Sequence, residues 1–90
     1  MQRNSHSQDD INAIHLEFIA LANQLKNTGY DTKTISAALM AASSTYCTYT
    51  AAGNEGYLEP SGVDKVVTLY REILISIQNT KKAALNPQTK

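Results

Sequence analysis

Cysteine is nearly absent from this chain. Cys47 stands alone, so no intrachain disulfide can staple the fold, and a lone thiol suits a reducing compartment. Long apolar runs are missing as well. No stretch approaches the roughly 18 apolar residues of a membrane-spanning helix, which argues against a membrane protein. The opening residues, Met1 to Asp10, are polar with no apolar run behind them, so no secretory leader is expected. Net charge is absent too, with eight Lys and Arg against eight Asp and Glu. A balanced chain has no overall pull towards nucleic acid or anionic lipid. The expectation is a soluble cytoplasmic protein.

Tryptophan is absent and Phe18 is the single phenylalanine, which leaves five tyrosines to supply most of the aromatic surface. Ninety residues make one domain with a modest core, because so short a chain buries only about 60% of its unfolded surface.

The apolar residues recur at helical spacing. Ile11, Ile14, Phe18, Leu21, Ala22 and Leu25 share one face of a first helix, with Ser7 and Asp9 both suited to its N-cap. Gly29 suits the left-handed position just past its end. Asp31 caps a second helix, and Tyr30 and Ile35 have the spacing of a hydrophobic staple. On this helix Ile35, Ala38, Leu39, Ala42, Tyr46 and Tyr49 share a face expected to pack, while Ala37, Ala41, Ser44 and Thr48 form a small-residue face left open. Gly53 stops it. Ser61 and Asp64 have the shape of a capping box after Pro60, followed by a stripe of Val63, Val66, Val67, Tyr70, Ile73, Leu74 and Ile77. The predicted fold is all-α, a three-helix bundle or an open three-helix array with disordered polar termini. Its parts are a tail over 1–8, a single domain over 9–82 with helices at about 9–28, 32–52 and 62–82, and a tail over 83–90.

Leu16, Ile19 and Ile75 lie off the main stripes, as do Met40 and Cys47. Scattered exposed apolar residues are normal. The sharper reading is a second apolar surface formed by Leu16, Ile19 and Ile75, on which another copy of the chain docks. Tyr57 stands in the 53–60 connection, either folded back over the helices or presented to a partner.

Catalytic and metal chemistry find little here. His6 falls in the N-terminal tail, and His15 has no cysteine or carboxylate pair at ligand spacing, so no metal and no cofactor are expected. Cys47 lies mid-helix, without the cation or helix N-terminus that would activate a thiolate. Ser43 and Ser44 sit in no nucleophile elbow, and Gly53 and Gly56 are not followed by the Lys-Ser or Lys-Thr of a phosphate loop. The short side chains of Ala37, Ala41, Ser44 and Thr48 cannot reach phosphates, so the second helix is no DNA-recognition helix.

Two segments, Phe18-Ile19-Ala20-Leu21-Ala22-Asn23 and Ile35-Ser36-Ala37-Ala38-Leu39-Met40-Ala41-Ala42, resemble a family of short bacterial, chiefly proteobacterial, proteins described only as a domain of unknown function. Tyr46 and Tyr49 stand where that family has spaced aromatics, and the resemblance spans roughly residues 15 to 50. This chain departs from the pattern at Thr45, where an arginine is common, and in its basic rather than acidic end. The resemblance implies a small helical cytoplasmic protein and carries no activity or catalytic residue. Two functional readings remain open: a self-associating protein–protein interaction module, which also binds another protein, or a regulatory, ligand-sensing protein with a pocket lined by Tyr46, Tyr49 and Tyr70. No enzyme is expected.

Overall fold

The computed structural model describes residues 7–53 and 55–86, and within them the chain is all-α. Three helices follow one another: α1 (Gln8–Asn27), α2 (Thr32–Ala52) and α3 (Pro60–Leu85). Two compact units divide the chain, Met1–Ser43 and Ser44–Lys90.

In the first unit, Ser7 is the N-cap of α1. Its backbone is extended and its hydroxyl oxygen accepts from the Asp10 amide at 3.2 Å. Of the two residues suited to the cap, the sequence uses the earlier, and Asp9 and Asp10 then lie in the first turn, where negative charge complements the helix dipole. Gln8, expected in the tail, is therefore helical; the rest of that expectation, residues 1–6, lies outside the described residues. α1 ends at a Schellman motif. The Tyr30 amide donates to Leu25 O at 3.2 Å and the Gly29 amide to Lys26 O at 3.0 Å, with Gly29 at φ 113°. Asp31 then caps α2. Its Oδ1 accepts from the Lys33 amide at 3.1 Å and its Oδ2 from the Thr34 hydroxyl at 3.2 Å. Ile35, one turn in, is the buried hydrophobic residue of this unit, at 9% exposure. Tyr30, its expected staple partner, stays exposed.

In the second unit α2 ends where expected, with Gly53 at φ 82° and its amide donating to Tyr49 O at 2.9 Å. The start of α3 differs from the expectation. Glu59 is the N-cap, Pro60 occupies the first turn, and no side chain caps the helix. The Ser61–Asp64 capping box does not form, because Ser61 is already inside the helix. Proline at the first helical position explains the shift: its φ suits the helix, and the N–H it lacks would have had no partner there. The other end of α3 also runs longer than predicted. Ala83, Ala84 and Leu85, assigned to a tail, are helical, since Lys, Ala and Leu all favour helix. The helix closes at Asn86, whose amide donates to Lys82 O at 3.0 Å. The residue before a proline, as Asn86 is, is biased away from helix. Residues 87–90 of that predicted tail lie outside the described residues.

Candidate functional site

No helix among the described residues is long and apolar enough to cross a membrane, and no three His, Cys, Asp or Glu side chains among them come together to hold a metal ion.

In the first unit, Leu16 and Ile19 sit three residues apart on α1 and are exposed, at 65% and 42%. Of the residues spaced as a core stripe, Ile11, Ile14, Phe18, Leu21 and Leu25 are exposed as well, and Ala22 is half-buried. The distinction the sequence suggests between a packed face and a spare one is therefore reproduced in burial along α1 only at Ala22. An open concavity of about 190 Å³ lies between α1 and α2 in this unit. Ala22, Asn23 and Lys26 line one wall; Thr32, Ile35, Ser36 and Leu39 line the other. Sequence reasoning did not single out this groove. The available signal was the pairing of small residues, Ala22 and Ser36, at positions where two helices leave Ile35 partly covered.

In the second unit, Tyr46 and Tyr49 pack ring against ring, edge to face, with centroids 6.3 Å apart and planes at 68°. Aromatic quadrupoles favour that arrangement. Tyr46 is nevertheless 71% exposed, and Tyr49 and Tyr70 are exposed too. Neither of two concavities on the described residues is lined by these three tyrosines. The second, of about 320 Å³, is a notch along the end of α3 bounded by Asn79, Lys82, Ala83 and Asn86. The side of α2 that packs is rotated from the predicted one. Cys47, Thr48 and Ala52 are half-buried, whereas Tyr46 points out. The Thr48 hydroxyl donates to Ser44 O at 2.9 Å, one turn back along its own helix. Of the small-residue face predicted to be open, Thr48 is half-buried, and Ala37, Ala41 and Ser44 are exposed.

Tyr57 is 75% exposed in the connection between α2 and α3, so it does not fold back over the helices. Beside it, Leu58 is half-buried and meets Gly62, where an added Cβ would lie 3.4 Å from the leucine side chain. On α3, Ile75 is exposed, as predicted for an off-stripe residue, but so are the stripe residues Val63, Val67, Tyr70, Ile73 and Leu74. Only Val66 and Ile77 of that stripe are half-buried.

No curated protein and no solved structure matches the chain. One family model does, that of the protein of unknown function DUF3144, over residues 13–72. The match takes in most of α1, all of α2 and the first half of α3. It reaches well past the 15–50 span on which the motif resemblance rests. Two thirds of the 90 residues lie within it, and the chain belongs to the DUF3144 family of proteins of unknown function.

Proposed function

We propose that this protein is a non-enzymatic interaction module that associates through its helix faces, first of all with a second copy of itself. One observation carries the proposal. Ile35 is the single buried hydrophobic residue among the described residues, while Ile14, Phe18, Val67 and Ile73, all spaced as core residues, stay in water. Apolar area left in water forgoes roughly 25 cal/mol per Å², and a partner surface recovers it. Small chains with thin cores gain most from this, since the interface extends the core. Tyrosines held at the surface fit the same role, because the ring supplies contact area and the hydroxyl stays solvated.

Sedimentation velocity on the full chain, from low to high micromolar concentration, tests it. The expected result is a mass that rises to that of a dimer or larger assembly. A monomer across the whole range would overturn self-association.

A further inference from the structure

The exposed stripe of α3 has an internal order that selects one partner and one orientation. Val63, Val67, Tyr70, Leu74 and Ile77 alternate at spacings of four and three. That is a strict heptad seam, the pattern by which one helix packs along another. Four of the five, all but Ile77, are exposed. The positions flanking the seam are unequal. On one side lie Val66, half-buried in its own chain, and Ile73, exposed, which widen the apolar face. On the other lie Asp64 and Arg71, both exposed and of opposite charge.

This asymmetry discriminates between ways of pairing two copies of α3. In a parallel pair, each flank meets the opposite flank, so Arg71 faces Val66 and gains no counter-charge. In an antiparallel pair, like flanks meet. Besides a register that joins only Leu74 and Ile77 and sets Arg71 beside the uncharged Gln78, three antiparallel registers keep the seam in contact. One sets Tyr70 against Leu74 and brings Arg71 near its own copy. Another sets Val63 against Val67 and brings Asp64 near its own copy. The third layers Val67 on Tyr70 and Val63 on Leu74, each twice by symmetry. Only this one places Asp64 beside the partner copy's Arg71, on both sides of the two-fold axis, with Val66 against Ile73 on the other flank. Like charges are avoided and opposite charges paired in one register alone.

We propose that a second copy of this chain docks antiparallel along α3 in that register, with Val63, Val67, Tyr70 and Leu74 as the seam and reciprocal Asp64–Arg71 pairs fixing orientation. The inference rests on the self-association proposed above and names its face and geometry. The two-fold axis passes between Thr68 and Leu69. The ion pairs are exposed, so they set orientation and register more than affinity.

The test combines charge reversal with distances on the full chain. Arg71→Glu turns both pairs repulsive and is expected to raise the dimer dissociation constant about ten-fold; the reciprocal double variant Asp64→Arg/Arg71→Asp is expected to restore it. Spin labels are placed one at a time at Ser61, Thr68 and Gln78 in a Cys47→Ser background. At a rise of 1.5 Å per residue, the antiparallel register separates like labels along the axis by about 22 Å at Ser61, about 2 Å at Thr68 and about 28 Å at Gln78. Parallel pairing makes the three distances alike. A dimer that ignores Arg71→Glu, is not restored by the double variant, or gives three equal distances overturns the α3 pairing and leaves self-association standing. A monomer at all concentrations overturns both.

Discussion

The Tyr30 amide reaches back five residues to the Leu25 carbonyl, at 3.2 Å, and this bond turns the chain from α1 towards α2. It depends on Gly29 between them, whose φ of 113° few other residues adopt. Nothing lies within 4 Å of where a Cβ at Gly29 would stand. Gly29→Ala therefore meets no steric clash with neighbours, and its whole cost is backbone strain. We expect a loss of about 1–2 kcal/mol in stability, read as a lower midpoint in thermal unfolding followed by circular dichroism. An unchanged midpoint would mean that the turn is not held as described.

Ile35 is the one buried hydrophobic side chain among the described residues. At 9% exposure it is the buried hydrophobic side chain of α2, one turn inside the Asp31 cap. Ile35→Ala is expected to cost about 2–3 kcal/mol, the lower part of the range for large-to-small core changes, because Ile35 itself lines an open groove. Phe18→Ala removes a larger side chain from a more exposed position and is expected to cost under about 1 kcal/mol at low protein concentration. Urea unfolding of both variants at one dilute concentration makes the comparison; a reversed order would contradict the burial pattern.

What was legible in the sequence follows physical lines. Helix identity was legible, because 3.6-residue spacing and the glycines at 29 and 53 are local signals. The Asp31 cap and the stop at Gly53 are set within a few residues of chain, and both are found. Burial was not legible. Periodicity marks which face of a helix is apolar, and says nothing of whether another surface covers it. Hence Ile11, Ile14 and Phe18 read as core and are exposed, and Tyr46 reads as packed and is 71% exposed. Of the candidate site residues, Leu16, Ile19, Ile75 and Tyr57 are accessible. Accessibility alone did not separate them from the stripes.

The start of α3 shows two local signals in competition. Ser61 and Asp64 spell a capping box, yet Pro60 places the helix start at Glu59. If Ser61 were an N-cap, its replacement by alanine would cost about 1 kcal/mol. Inside the first turn and exposed, Ser61→Ala is expected to change stability by less than about 0.5 kcal/mol. Pro60→Ala should cost about 0.4–1 kcal/mol, through the freedom it returns to the unfolded chain. Thermal unfolding of the two variants side by side decides which residue starts the helix.

Leu74 and Ile75 are neighbours of similar size and exposure, and they answer different questions. In the heptad of α3, Leu74 belongs to the seam and Ile75 lies one position outside it. In the proposed pairing, a charge at Leu74 would enter the apolar contact with Val63 of the other copy, where it would have no partner and be stripped of water. A charge at Ile75 stays in solvent whether or not α3 is paired. Leu74→Glu is therefore expected to abolish association at micromolar concentration, and Ile75→Glu to leave the dissociation constant within about two-fold, the scatter of ordinary surface changes. Leu16→Glu/Ile19→Glu alters α1, whose off-stripe residues the α3 seam does not use, and is expected to behave like Ile75→Glu. Sedimentation equilibrium of the three variants, with helicity matched by circular dichroism, measures all of this. Association lost in Leu16→Glu/Ile19→Glu but kept in Leu74→Glu would move the docking face from α3 to α1.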